Sequence, residues 1–224
     1  MHRAPRLSIA LGALLSFCAT GPYAQTPTPL HLGYSAERAL SSGTVDAYDV
    51  SLTAGDFVHV VIRKHDVDLS ATLIDPGGRE VVSRHSDPGE FTDEVVAAIA
   101  SANGPYELRI RSLSSGRPSS RYSIEVVALR PAGPQDRDRV EAEAAIQRAR
   151  SLQETGQPRT YATAEDEFTA ALKLFTLLGD RRRELRTLNG LGRIQAALGH
   201  PAAFETYRRI LNQFLRQVRE RTRD

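Results

Sequence analysis

Apolar and polar residues alternate along the chain from Leu30 to Arg130. In the clearest run, Tyr106, Leu108 and Ile110 alternate with charged residues. Alternation of this kind puts every second side chain on one buried face, as in a β-strand with one exposed side. Short runs of Gly, Pro, Asp and Ser separate these segments and mark turns. The pattern predicts about seven or eight antiparallel strands, which form a β-sandwich over residues 31–130.

After Arg130 the apolar residues recur every three or four positions, which is the period of an amphipathic helix. Four helices are predicted, beginning near Asp136, Thr163, Asp180 and Pro201. Gly156 and Gly199 each follow a predicted helix and are suited to end it. The helices repeat as pairs of about 40 residues. The predicted fold class is α+β in separate domains, with an N-terminal antiparallel β-sandwich followed by C-terminal helical repeats over residues 131–224.

Residues 1–24 have the three parts of a secretory signal peptide: basic residues at Arg3 and Arg6, an apolar run, and a small residue, Ala24, before the cleavage point. The apolar run is too short to cross a bilayer as a helix, which needs about 20 residues. We therefore expect export to the periplasm or the medium, a mature chain beginning near Gln25, and a linker over residues 25–30. Lipidation of Cys18 is the alternative, although a bulky Phe precedes this cysteine.

Charge and cysteine content exclude several functional classes. The leader holds two basic and no acidic residues, so the remaining chain has 27 of each and the net charge of +2 belongs to the leader. A neutral chain lacks the surplus of Lys and Arg that nucleic-acid binding needs. The single cysteine, Cys18, excludes an internal disulfide and a thiolate zinc site. The two halves have opposite net charge, −4 over residues 30–130 and +4 over residues 131–224, so they could dock on each other.

Several segments resemble known families. Residues 188–199 resemble part of a tetratricopeptide repeat, and residues 164–181 resemble the second helix of such a repeat and its joint to the next. The strand half is similar to bacterial pre-peptidase C-terminal sandwich domains, in Tyr48–Gly55, Asp66–Leu69, Leu73–Gly77 and Gly104–Tyr106. In this order the segments resemble the N-terminal region of exported proteins that end in a caspase-like CHAT protease domain. The resemblance implies two tetratricopeptide-like helix pairs over residues 131–224, without the protease domain.

Candidate metal ligands and catalytic motifs are few. Oxygen-rich turns can hold Ca²⁺, and Asp66, Asp68 and Asp75 flank turns of the predicted sandwich. Asp also favours turns without a metal. These three are therefore weak calcium candidates, and no metal site is predicted. No cofactor is predicted either, because the sequence has no Gly-rich phosphate loop, nucleophile elbow or supported pair of catalytic acids. We expect a protein that is not an enzyme.

The third predicted helix carries most of the candidate binding residues. If its Leu188 and Leu191 pack inward, the polar residues on the other side of the helix line a groove, and one arginine of the first helix lies at the matching place. The candidate groove residues are Arg150, Arg186, Asn189 and Arg193. Arginine in such a groove can hold a peptide carboxylate through two parallel hydrogen bonds. The alternative is a solvated polar face with ion pairs to Glu154 or Glu184.

We expect an exported, non-catalytic interaction or scaffold protein that binds a partner protein or peptide through its helical repeats. Self-association is a further expectation, because the last helix has an apolar stripe that no following helix covers. The stripe contains Tyr207, Ile210, Leu211, Phe214 and Val218. One alternative is a carbohydrate- or matrix-binding sandwich with a helical stalk, although the chain has no Trp to stack on sugar rings. The other is a regulatory fragment of a CHAT-type protease system.

Overall fold

The computed structural model describes residues 26–65, 68–85, 93–113 and 120–221, which form nine strands followed by four helices. The strands are β1 (Thr28–Pro29), β2 (Ser35–Leu40), β3 (Val45–Leu52), β4 (Asp56–Lys64), β5 (Leu69–Ile74), β6 (Glu80–His85), β7 (Glu94–Ile99), β8 (Gly104–Ser112) and β9 (Ser120–Pro131). The helices are α1 (Pro134–Glu154), α2 (Pro158–Leu177), α3 (Arg181–Ala197) and α4 (Ala202–Arg221). The predicted leader, with Cys18, lies outside the described residues.

The strands form two sheets that enclose a common apolar core. One sheet has the strand order β1-β3-β8-β5-β6, and the other has the order β2-β9-β4-β7. Neighbouring strands are antiparallel except β1, which pairs in parallel with β3. The first sheet is therefore mixed, whereas the sequence predicts a purely antiparallel sandwich.

The predicted alternation is confirmed in β8. Tyr106, Leu108 and Ile110 are buried in the core between the sheets, and Arg109 and Arg111 are exposed. Because the side-chain period of a strand is two, these burial values fix the register that the sequence predicts.

The predicted division into separate sandwich and helical-repeat domains is wrong. Outward-facing Phe57, Val95 and Ala97 of the second sheet are buried in an apolar cluster against which Val140 of α1 packs. An apolar sheet face must be covered, and here the helices cover it. The chain forms one α+β unit, and its helices do not form a separate tetratricopeptide-like region. The predicted tetratricopeptide-like helix pairs over residues 131–224 are therefore wrong as well.

The connection between the sandwich and the helices is short and held by an ion pair. Only Ala132 and Gly133 separate β9 from α1. The Arg130 guanidinium donates two hydrogen bonds to the Asp136 carboxylate, with N···O distances of 2.5 and 3.0 Å. The same carboxylate accepts the Gly133 backbone N–H at 2.7 Å, which satisfies a donor at the N-terminus of the helix. These contacts fix the direction in which α1 leaves the sheet.

The helices end where the sequence predicts. Gly156 follows α1 and Gly199 follows α3, with φ values of 63° and 68°. This left-handed conformation carries no steric penalty for glycine and ends a helix after its last turn. At the other end of α3, Asp180 caps the helix by accepting a hydrogen bond of 3.1 Å from the Arg183 backbone N–H.

Candidate functional site

A pocket of about 190 Å³ lies between α1 and α3, on the helical layer. Residues of α1 form one wall, and the α3 face between Arg183 and Arg193 forms the other. The ring of Phe168, which α2 contributes, lies at the bottom. The α1 wall consists of Ile146, Arg150 and Gln153, which share one helix face because they are spaced four and three residues apart.

The four groove residues that the sequence predicts all line this pocket: Arg150, Arg186, Asn189 and Arg193. Their convergence follows from the helix period, because Leu188 and Leu191 of α3 are buried in the helical core. The helix period then places Arg186, Asn189 and Arg193 on the side of α3 that faces away from that core. The structure thus brings these four side chains to one place; whether they bind a ligand stays a prediction.

A glycine in α3 allows the floor of the pocket to form. A Cβ atom added at Gly190 would lie 2.6 Å from Cε1 of Phe168, well inside van der Waals contact. The aromatic ring therefore packs directly on the α3 backbone. Sequence analysis does not predict this contact, because glycine within a helix gives no signal about which side chain approaches it.

The described lining of the pocket is rich in arginine. Four arginines line it, and no Asp or Glu is among the lining residues that the structure describes. Arg183, the deepest of the four in the helical packing, forms a buried ion pair with Glu143 of α1. Its guanidinium also lies over the Phe175 ring, 5.4 Å from the centroid.

Arg186 joins the pocket to the sandwich. Its Nη2 lies 3.5 Å from Oδ2 of Asp93, the residue before β7. Burial lowers the pKa of Arg186 below its ordinary value, and the charge of Asp93 opposes this shift. The ion pairs that the solvated-face alternative predicts are not the ones found for Arg186. Glu154 lies 3.2 Å from Nε2 of His85 in β6.

The described lining residues offer hydrogen-bond donors but no nucleophile. Among them are no Ser, Thr, Cys, His or Lys, and their polar groups are guanidinium and carboxamide groups. Guanidinium groups bind carboxylates or phosphates through charge-assisted hydrogen bonds. The pocket walls also present Ile146 and Leu185, so an anionic group with an apolar neighbour fits both kinds of surface.

The weak calcium candidates do not come together in the described part of the chain. Asp68 and Asp75 lie beyond opposite ends of β5, roughly 20 Å apart for a strand of this length. The Asp75 carboxylate accepts hydrogen bonds from the backbone N–H groups of Gly77 and Arg79, at 3.0 and 2.9 Å. These bonds help to lower the pKa of Asp75 and close the β5–β6 turn. Asp66 lies outside the described residues, and no group of three or more His, Cys, Asp or Glu among the described ones could hold a metal.

Comparisons with known proteins give fold likenesses only. No protein-family model and no curated protein sequence matches the chain. Among solved structures, the chain is similar to the pre-peptidase C-terminal domain of a collagenase from Bacillus anthracis, with 13% identity, a TM-score of 0.38, and coverage of 47% of this chain and 99% of that one. This domain is of the class that the strand half is predicted to resemble. Membership in the CHAT family stays a prediction.

Two further solved structures have comparable likeness. A periplasmic inhibitor of g-type lysozyme from Aeromonas hydrophila has 13% identity and a TM-score of 0.34, over 45% of this chain and 96% of that one. The mitogen of Yersinia pseudotuberculosis has 14% identity and a TM-score of 0.34, over 46% of this chain and 91% of that one. Among the described residues, no helix is long and apolar enough to cross a membrane.

Proposed function

We propose that this chain is an exported, non-catalytic binding protein, and that its pocket between α1 and α3 holds a carboxylate-bearing segment of a partner protein or peptide. Export rests on the sequence of residues 1–24. The binding role rests on the pocket.

One observation carries the proposal: four arginines converge on this pocket, and none of its described lining residues is an Asp or a Glu. Asp93 and Glu143 approach Arg186 and Arg183 from outside the lining. An anionic ligand would gain directed, charge-assisted hydrogen bonds from the guanidinium groups. Asn189, an exposed amide at the rim, could bond the peptide backbone beside that carboxylate.

A hydrolytic or transferase role has less support at this site. Acyl and group transfer need a nucleophile or an activated water with a base in reach. The lining residues in the described part of the chain include neither a hydroxyl or thiol group nor a histidine or carboxylate. Their guanidinium and carboxamide groups are suited to binding a ligand through hydrogen bonds.

The carbohydrate-binding alternative also has less support. Sugar rings stack on exposed aromatic faces, and the exposed Phe and Tyr side chains among the described residues are Phe204 and Tyr207 of α4. On the sandwich, the exposed large apolar residues described are Leu32, Leu113 and Val127. A regulatory role in a CHAT-type protease system rests on the sequence resemblance alone.

The test is selection from a library of random peptides displayed with free carboxylates, followed by affinity measurement of the selected peptides by fluorescence anisotropy. We expect Arg150→Ala and Arg193→Ala each to weaken binding about tenfold, which is about 1.4 kcal/mol. Arg109→Ala is the matched control, because Arg109 is an exposed arginine of β8 that pairs with Glu107. Analogues of the selected peptides with amides in place of the carboxylates are also tested. They should bind the wild-type protein at least as weakly as the original peptides bind the pocket variants. The proposal fails if no peptide is selected, or if amide analogues and pocket variants bind as well as the originals.

A further inference from the structure

Helix α4 has an exposed apolar stripe beside the face that packs on α3. The packed face contains Thr206 and Ile210; the Thr206 hydroxyl donates to Oε1 of Gln195 in α3 at 2.7 Å. The α4 stripe, as we name it, comprises Phe204, Tyr207, Leu211 and Leu215, with exposed fractions of 71, 41, 56 and 42%. These residues are spaced three, four and four positions apart, so they form one line along the helix. The side chain of Phe214, which the sequence assigns to this stripe, lies outside the described ones.

The α4 stripe borders the arginine pocket. The Tyr207 ring packs on α3 at Gly192, where an added Cβ would lie 3.0 Å from two ring atoms. Gly192 and Asn189 are three residues apart, so they are neighbours on the same face of α3. Asn189 is itself part of the pocket lining. The aromatic end of the stripe and the pocket are therefore adjacent across α3.

The far side of the stripe is basic. The exposed charged residues described in α4 are Glu205, Arg208, Arg209, Arg216 and Arg219. Arg208 pairs with Glu205 at 2.5 Å, and Arg209 lies 3.9 Å from Glu184 of α3. Among these described side chains four are arginines and one is a glutamate, so this side of the apolar stripe carries positive charge. The arginine pocket lies beyond the other side of the stripe.

We infer that the α4 stripe and the pocket form one binding surface, and that its occupant is an acidic amphipathic helix of a partner protein; the inference rests on the function proposed above. The stripe extends over twelve residues from Phe204 to Leu215, about 16 Å of helix. A partner helix of about three turns covers that length with apolar residues at intervals of three and four. Acidic residues on one flank of the partner helix would then lie opposite the arginines of α4. Those on the other flank would lie opposite the arginines of the pocket.

Charge favours this occupant over a second copy of the chain. A twofold interface between α4 helices would bring the same basic residues together from both copies. Like charges at an interface oppose association, whereas an acidic partner gains from the same arginines. A lipid surface fits the charge and the apolar residues, but a flat bilayer cannot enter the concave pocket that adjoins Tyr207.

The experiment uses a fluorescein-labelled 14-residue peptide with Leu at positions spaced three and four apart and Glu at most others. A second peptide has Lys in place of every Glu. Binding to the full chain is measured by anisotropy for the wild type, for the stripe variant Leu211→Ser and for the pocket variant Arg193→Ala. The matched control is Leu32→Ser, an exposed leucine of the sandwich. Circular dichroism verifies that each variant is folded.

We expect saturable binding of the acidic peptide, and at least about tenfold weaker binding of the Lys peptide, of Leu211→Ser and of Arg193→Ala. If Arg193→Ala weakens binding and Leu211→Ser does not, the stripe inference is wrong and the pocket proposal stands. If only Leu211→Ser weakens binding, the stripe binds the helix and the pocket proposal is wrong.

Three other results overturn the inference. The first is equal binding of both peptides, or no binding of either. The second is a wild-type dimer in sedimentation at micromolar concentration that Leu211→Ser dissociates, which would assign the stripe to a second copy. The third is co-sedimentation with phosphatidylglycerol vesicles that Leu211→Ser abolishes, which would assign it to a membrane surface.

Discussion

Asp93, the residue before β7, forms an ion pair with Arg182 in the first turn of α3, with 2.6 Å between Oδ2 and Nη2. The same oxygen lies 3.5 Å from Arg186, a residue of the candidate pocket. Asp93 is only 8% exposed, so its charge is held near two guanidinium groups with little competing water. One carboxylate thus connects the sandwich with the wall of the pocket.

Replacing this carboxylate should destabilise the protein. We expect Asp93→Asn to lower the free energy of unfolding by about 2 kcal/mol, because Arg186 is left largely buried without its counter-charge. The measurement is urea denaturation at neutral pH. Glu37→Gln is the control: its carboxylate pairs with Arg121 at 3.3 Å on the exposed surface, where about 0.5 kcal/mol or less is expected. Equal effects of the two substitutions would contradict a structural role for Asp93.

The contact between Gly190 and Phe168 gives a second prediction, with an internal control in the same helix. Gly190→Ala places a methyl group against a buried ring that has little room to move, so we expect a loss of about 1–3 kcal/mol despite the better helix propensity of Ala. Gly192→Ala meets the Tyr207 ring, which is 41% exposed and can shift. Thermal denaturation should therefore rank Gly190→Ala as the less stable variant. The opposite order would show that the floor of the pocket is not tightly packed.

The face of α3 that lines the pocket could be predicted from sequence because it depends on local spacing alone. Once Leu188 and Leu191 are assigned to the core, the helix period places Arg186, Asn189 and Arg193 together. The register of β8 follows in the same way from the alternation around Leu108. Such inferences need no knowledge of what the element packs against.

The packing of the helices on the sheet could not be predicted in this way. Phe57, Val95 and Val140 are distant in sequence, and their contact depends on the path of the whole chain. One signal was present: residues 95–100 are an uninterrupted apolar run, which is typical of a strand covered on both faces. The run indicates that something covers β7, but not that α1 does. The pairing of Arg186 with Asp93 depends on the same packing and gives no local signal.

A third prediction concerns the hydroxyl and the ring of Tyr106. The hydroxyl accepts the backbone N–H groups of Ser101 and Ala102, at 3.1 and 3.2 Å, and so holds the turn between β7 and β8. Tyr106→Phe leaves both donors without this partner and should cost about 1–2 kcal/mol. Tyr106→Ala also removes a buried ring and should cost about 3–5 kcal/mol. Denaturation of the full chain measures both, and an equal loss for the two variants would contradict the burial of the ring.

Export gives a fourth prediction. Protein recovered from the periplasm or the medium of a bacterial host should begin near Gln25 and lack Cys18, because the basic and apolar segments of residues 1–24 follow the order typical of a cleaved signal peptide. Intact-mass spectrometry measures this directly. Replacing the apolar residues Leu14 and Leu15 by Arg should retain the uncleaved chain in the cytoplasm. A secreted chain with its leader still attached, or a lipid adduct on Cys18, would contradict the prediction.

The last prediction concerns His59 of β4, which lies at the interface between the sheet and the helices. Burial lowers the pKa of His59 to about 4, and the charges of Arg139 and Arg183 add to the shift. In the unfolded chain a histidine has a pKa of about 6.5. Below pH 6.5 the unfolded state therefore binds a proton that the folded state does not, so the free energy of unfolding should fall as pH decreases to about 4 and this contribution should then level off. The full shift corresponds to about 3 kcal/mol.

In urea denaturation from pH 8 to pH 4, His59→Gln should lose this part of the pH dependence, and His31→Gln, at an exposed site, should retain it. A pH dependence that His59→Gln leaves unchanged would mean that the interface admits the charged imidazole.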